Sequence, residues 1–285
     1  MKTIYNKVVY RSVLNLTALL VVANAAVGQD DITKYVRYDY EGRQAYGILD
    51  GETISELEGD LFSSPKATGN TVRLSDVRLL APCVPSKVIA VGRNYMSHVG
   101  ERPVPETPGL FAKYPTSIIA HEESILKTPD ATNLHYEAEL VVVIGKTASK
   151  VSVADAKDYI FGVTAGNDVT ERNWQAADLQ WLRGKASDTF GPIGPAIVTG
   201  LDYNDLLVEA RLNGEVVQSE RSKDLIHNVD EIVSFVSQYI TLFPGDIIFT
   251  GTPGATRAMQ AGDVVEIEVE GVGVLRNTVV ASGSE

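Results

Sequence analysis

The chain has 285 residues, enough for one substantial core with a smaller companion unit. Hydrophobic residues make up 44 % and charged residues 22 %, which excludes disordered and low-complexity classes, and no repeat points to a solenoid. A formal net charge of -12, with no Lys/Arg cluster to offset it, argues against nucleic acid as a partner, and the single cysteine, Cys83, excludes an internal disulfide.

Lys2, Lys7 and Arg11 precede an apolar run from Val13 to Ala23, and Ala23-Asn24-Ala25 has the small-x-small pattern of a cleavage site. Residues 1–25 therefore read as a secretory signal peptide. The run is interrupted by Asn15 and Thr17 and is too short to span a membrane, so no membrane partner is expected after its removal. A misassigned start upstream of a cytoplasmic protein is the competing reading.

Short strand-like pieces follow, Tyr35 to Tyr40, Tyr46 to Leu49 and Thr53 to Leu57, with Asp50-Gly51 as a turn signal. They predict a small β-rich N-terminal domain over 31–80. The Pro-punctuated stretch Ala81 to Pro85 then divides it from a larger domain over 85–283.

Val88 to Val91 reads as a buried strand leading into Gly92-Arg93-Asn94-Tyr95 and then His98-x-x-Glu101. On a helical turn that spacing brings imidazole and carboxylate together, an arrangement suited to a water-activating base, although surface pairs of this kind are common. Arg102 to Pro115 holds four prolines and reads as a long irregular loop, a candidate lid.

The run L-H-Y-E-A-E-L-V-V-V-I-G, Leu134 to Gly145, ends in a β-branched strand. Its alternation puts His135, Glu137 and Glu139 on the same face as Val141 and Val143. Two carboxylates at the mouth of an apolar interior require a cation or donors, and a divalent ion would meet that requirement. A plain solvent-facing strand end is the alternative.

Asp155 to Tyr159 reads as a short helix, and Ile160 to Asn167 as a strand that delivers Asp168. Asp168 is expected to open a helix, with Glu171 completing a capping box and Arg172 and Gln175 stacked on its side; a simple N-cap role is the other reading. Arg183 to Phe190 is polar and leads to Gly191-Pro192-Ile193-Gly194-Pro195, read as a turn-rich loop, with Lys185 by default a surface lysine. Asn213-Gly214 signals a hairpin. Ile226, Val229, Ile232, Val233, Val236 and Ile240 keep helical spacing. Gly245 to Phe249 forms a strand into Thr250-Gly251-Thr252-Pro253-Gly254, whose backbone could receive an anion, and a hairpin from Val264 through Gly271 to Gly273 closes the chain.

Together the ordered blocks G-R-N-Y-x-x-H-x-x-E, H-Y-E-A-E-L, N-D-V-T-E-R-N-W-Q, G-K-A-S-D-T-F-G-P-I-G-P, N-G-E-V-V-Q and P-G-D-I-I-F-T-G-T-P closely resemble the fumarylacetoacetate hydrolase family, from about Val88 to Val280. The resemblance implies a mainly β (α+β) fold, a mixed β-sandwich or β-roll catalytic domain with a small N-terminal domain, usually dimeric. It implies Mg²⁺, with Mn²⁺ or Ca²⁺ as alternative occupants, on Glu137, Glu139 and Asp168. His98 and Glu101 match the water-activating pair, Arg172, Gln175 and Lys185 the substrate-polarising positions, and Thr252 the loop that contacts the substrate's acid end. The implied activity is C-C hydrolysis of a 2-oxo or 1,3-dicarbonyl acid; isomerisation or decarboxylation of related diacids is the runner-up, and a non-catalytic exported binder the reading of another class. One departure stands out. The family often continues T-G-T-P-x-G-V-G, whereas Ala255, Thr256 and Arg257 follow Gly254 here.

Overall fold

A computed structural model describes residues 32–283, so the segment read as a signal peptide lies outside the described residues. Among those residues no helix is long and apolar enough to cross a membrane. The strands in chain order are β1 Thr33–Tyr40, β2 Arg43–Asp50, β3 Thr53–Glu58, β4 Lys66–Arg73, β5 Arg78–Leu80, β6 Val88–Gly92, β7 Gly109–Lys113, β8 Ile118–Ile119, β9 Ile125–Lys127 and β10 Leu134–His135. They continue with β11 Ala138–Ile144, β12 Ile160–Asn167, β13 Thr170–Glu171, β14 Gly191–Thr199, β15 Leu207–Leu212, β16 Glu215–Arg221, β17 Ile247–Phe249, β18 Val264–Val269 and β19 Gly273–Ala281. Among the described residues four α-helices interrupt them: α1 Met96–Val99, α2 Arg172–Ala177, α3 Leu182–Ala186 and α4 Val229–Tyr239.

The expected mainly β architecture is present. One large sheet runs β4-β3-β2-β1-β14-β12-β11-β17-β6-β7, so the N-terminal strands extend the sheet that carries the central strands, joined to it where β1 pairs with β14. A five-stranded sheet, β16-β15-β18-β19-β9, covers one face.

Both faces of β11 are buried, which is why its sequence is continuously apolar after Glu139. Leu140, Val142 and Ile144 join α4 and the second sheet in the main core, while Val141 and Val143 join Phe249, Ile193 and Ile197, with Leu57 and Leu61 from the N-terminal segment, in a smaller one. Glu139 therefore lies on the second face, at the end where that apolar cluster stops. Gly166 on the neighbouring β12 makes room for the cluster, since a Cβ there would sit 2.6 Å from the Phe249 ring.

Three expectations are corrected. The segment Arg102 to Pro115 is not wholly irregular, because Gly109–Lys113 pairs antiparallel with β6 as the terminal strand of the sheet's main path. The turn-rich reading of Gly191 to Pro195 fails as well. These residues begin β14, and their prolines are tolerated because the pairing with β12 is broken by a register shift there and β1 joins only from Ile197 onward. Finally, Arg183 to Ala186 belongs to α3 rather than to a loop.

Candidate active site

The ends of β11 and β12, the loop after β17, and α1 to α3 meet around a cavity of about 280 Å³. Glu137, Glu139 and Asp168 each offer a carboxylate oxygen to it, with these atoms all within 4.8 Å of one another, and all three residues are buried. Strand alternation had placed the first two on one side, and the antiparallel pairing of β11 with β12 brings in Asp168, whose backbone N–H donates to Glu137 O at 2.9 Å. Asn167 contributes from the last position of β12, its Oδ1 accepting from Glu137 N at 2.9 Å.

Asp168 does not open a helix. Glu171 is the N-cap, its side chain accepting from Trp174 N at 2.7 Å, and Thr170 and Glu171 pair with β10. Arg172 and Gln175 are nevertheless neighbours, at i and i+3 within α2. Arg172 Nη1 donates to Gln175 Oε1 at 3.0 Å, and Nη2 donates to Glu137 Oε1 at 2.5 Å. The default surface reading of Lys185 is overturned: α3 turns it inward, and its Nζ donates to Glu137 Oε2 and to Asp168 Oδ2, each at 2.5 Å. Gly184 permits that placement, because a Cβ there would lie 2.7 Å from the Gln175 backbone N of the adjoining helix.

Sequence reasoning missed Lys113. It is 2 % exposed, donates to Asp168 Oδ1 at 2.6 Å and also bonds the backbone carbonyl of Lys185. The signal was a lysine directly after the apolar run Leu110 to Ala112, a residue type that is buried only when paired. Asn94 and Gln218 were missed in the same way. Asn94 Nδ2 donates to Thr250 O and His227 O, tying the loop before α1 to the loop after β17, and Gln218 bridges Ala138 N to Thr252 Oγ1.

The His98–Glu101 pair is not formed. α1 stops at Val99, Gly100 adopts φ 61, and Arg102 folds back onto the carbonyls of His98 and Val99. Glu101 is left exposed, with no hydrogen bond or ion pair to any described residue. His98 instead has Nδ1 at 2.7 Å from Gly254 O. A carbonyl can only accept, so Nδ1 carries the proton and Nε2, 4.0 Å from Glu137 Oε1, presents its lone pair in the neutral ring. His121 and His227 stand apart from the carboxylates as structural partners, of Arg276 N and of the Asn94 side chain respectively.

The electrostatics of the three acids are unequal. Burial alone would raise the Glu137 carboxyl, but Lys185, Arg172 and His98 reverse this and hold it far below the usual range. Glu139 moves the other way. Burial, then the Asp168 and Glu137 charges, push it well above a normal carboxyl, outweighing the pull of Lys185 and of the Gly251 N–H at 2.7 Å, its one hydrogen-bond partner among the described residues. Burial lowers Lys113 against the pull of Asp168, while Asp168 and Glu137 outweigh burial and raise Lys185. Burial also lowers His98, and burial with Arg172 pushes His135 down to about 4.

A buried acid that faces two others and hydrogen-bonds only a backbone N–H is an environment that a positive charge would stabilise. The donor set is three carboxylates, the hard-oxygen chemistry of Mg²⁺, Mn²⁺ or Ca²⁺. The residues present therefore fit a divalent ion, with Glu137, Glu139 and Asp168 as the groups that would hold it.

Comparison with known proteins agrees in fold and family. The family described as fumarylacetoacetate (FAA) hydrolase C-terminal matches residues 87–280, and the description Rv2993c-like, N-terminal matches residues 33–82. The mitochondrial oxaloacetate tautomerase FAHD2A of Bos taurus is 41 % identical over 221 residues, covering 72 % of this chain and 70 % of that protein. A 2-hydroxyhepta-2,4-diene-1,7-dioate isomerase structure from Mycobacterium marinum superposes with a TM-score of 0.83 at 40 % identity, covering 88 % of this chain and all of that one. A maleylpyruvate hydrolase from Sphingobium sp. SYK-6, solved with manganese (II) ion and pyruvate, gives 0.73 at 26 % identity over 87 % of this chain and 99 % of that one.

Proposed function

This chain belongs to the fumarylacetoacetate hydrolase family, whose members are enzymes, and on that footing we propose that it moves a proton next to the keto group of a small 2-oxo acid, as an isomerase or tautomerase. The observation that carries this reading is the single oriented base. His98 is held by Gly254 O so that its unprotonated Nε2 sits beside the carboxylates, while Glu101 does not contact it.

When bound by Glu137, Glu139 and Asp168, a divalent ion would supply Lewis-acid charge to the substrate's oxygens. The chain's own residues do the rest. His98 Nε2 takes the proton from the carbon beside the carbonyl and returns it to oxygen or to a further carbon, so that nothing is added or lost. Arg172, with N–H groups to spare, orients the substrate acid, and the Thr252 hydroxyl lines the same cavity. Gln175 has an amide N–H₂ with no partner among the described residues, and Lys185 has one N–H beyond its two carboxylates; both can donate to a developing oxyanion.

Hydrolysis of an acylpyruvate is the second reading. It is favoured by the same base, which could take its proton from water, and by the hydrolase relative. The test is an assay of oxaloacetate, a 2-hydroxy-diene diacid and acylpyruvates in D₂O with Mg²⁺ or Mn²⁺. Deuterium at the carbon beside the carbonyl without cleavage supports isomerisation, release of pyruvate from an acylpyruvate supports hydrolysis, its release from oxaloacetate marks decarboxylation instead, and turnover unaffected by EDTA would remove the metal from any of these. A homodimer and export after cleavage near residue 25 belong to the same proposal, and are checked by light scattering and by sequencing the mature N-terminus.

A further inference from the structure

Thr256 lies where this chain leaves the quoted T-G-T-P-x-G-V-G pattern, at the position where that pattern carries valine. Its Oγ1 accepts from Arg172 Nη2 at 2.8 Å and lies 2.8 Å from His135 Nδ1. On the far side of that ring, His135 Nε2 is 2.9 Å from Asn133 Oδ1, which can only accept. The neutral imidazole therefore carries its proton on Nε2 and accepts on Nδ1, and the Thr256 O–H donates to it. One hydroxyl satisfies both neighbours. A valine of the same shape would satisfy neither.

Arg172 has five N–H donors. Glu137 and Thr256 take both on Nη2, and Gln175 takes one on Nη1, which leaves Nε–H on one side of the guanidinium or one Nη1–H on the other to meet an incoming carboxylate. The loop itself does not depend on the hydroxyl. It is anchored separately by Met259 N donating to Leu134 O at 2.6 Å and by Arg257 donating to Glu215 at 2.5 Å.

We propose that Thr256 is a positioning residue that holds the Arg172 guanidinium in the orientation that receives the substrate's carboxylate, and so sets affinity for the oxo acid rather than the rate of the chemical step. This rests on the reading of Arg172 as the carboxylate-orienting group. The experiment compares wild type, Thr256→Val and Thr256→Ser, each loaded with Mn²⁺, by calorimetric titration with pyruvate, steady-state kinetics and thermal melting. Thr256→Val is expected to weaken pyruvate binding and raise KM by roughly tenfold or more, the scale of one hydrogen bond to a charged group. Its kcat should stay within about threefold, since the bond lies outside the reacting atoms. Thr256→Ser, which keeps the hydroxyl, is expected to restore both. Unchanged pyruvate affinity in Thr256→Val, or a serine variant as weak as valine, would overturn the proposal, as would a valine effect confined to melting temperature. A wild type that binds pyruvate yet turns over no oxo acid would remove the proposed reaction while leaving Thr256 to be judged on affinity. A wild type that neither binds nor turns over removes both.

Discussion

The buried Glu139 carboxylate offers a test in which stability and metal binding move in opposite directions. Glu139→Gln keeps the shape and an oxygen for the Gly251 N–H, but removes a charge that burial and two neighbouring carboxylates push well above its ordinary pKa. Without metal, wild type must either hold that charge or take up a proton to relieve it, at about 1.4 kcal/mol for each unit by which the lower of the solution pH and the folded pKa exceeds the pKa of the same carboxyl in the unfolded chain. The glutamine does neither. Metal-free Glu139→Gln is therefore expected to be more stable than metal-free wild type by about 1–2 kcal/mol, or roughly 2–8 °C in Tm for a chain of this size. Metal reverses the order. At a concentration about 100-fold above Kd, a ligand bound only by the native state adds about 2.7 kcal/mol, so wild-type Tm should climb by roughly 5–11 °C with Mg²⁺ or Mn²⁺. The variant, lacking one of three anionic groups, should shift by less than about 2 °C. Melting both proteins in EDTA and in each metal decides the matter. Equal metal shifts in the two, or a metal-free variant that melts below wild type, would refute the idea that Glu139 awaits a cation.

Four further outcomes follow from the same geometry. Glu101→Gln should change kcat/KM by less than about twofold, since an exposed residue without partners is worth little; a loss of a hundredfold would show that Glu101 reaches His98 during turnover. The acid limb of kcat/KM against pH should lie below 6.5. Burial lowers the folded-state pKa of His98, so the neutral, base-competent ring persists as pH falls until that depressed value is crossed, and a limb at or above 6.5 would count against His98 as the base. Stability shares the sign. Buried neutral histidines bind protons less well than the unfolded chain, so stability should fall as pH drops from about 6.5 toward the value near 4 of His135, and a His135→Asn protein should show a shallower decline over that window. Gly184→Ala would improve local helix propensity by about 1 kcal/mol, yet its Cβ meets the Gln175 backbone at 2.7 Å. The collision should dominate, lowering stability by about 1–3 kcal/mol and reducing kcat by displacing Lys185; an unchanged or raised Tm would show that α2 and α3 separate freely.

Local chemistry made much of this protein readable from its residues alone. The β-branched run after Glu139 is a strand in any context that buries both faces, Asn213-Gly214 closes a hairpin by its own backbone preference, and the apolar spacing from Val229 to Val236 defines the face of α4 that the core receives. Glu137 and Glu139 were linked by strand alternation, whereas Asp168 was located at the end of the next strand but read there as a helix opener, and joined the two glutamates only through the family resemblance. What could not be read is what long-range contact decides. His98 and Glu101 have helical spacing, but whether they meet depends on Gly100 ending the helix and on Gly254, 156 residues away, offering a carbonyl. Lys185 has the composition of a surface residue and becomes an interior one only because α3 packs against α2 and faces two carboxylates from other strands. Lys113 and Thr256 acquire their partners in the same way, across 55 and 84 positions. Propensity and periodicity act over a few residues and so fix elements and faces; the pairing of charges and the direction of each donor are set by which elements pack together, and only the folded chain determines that.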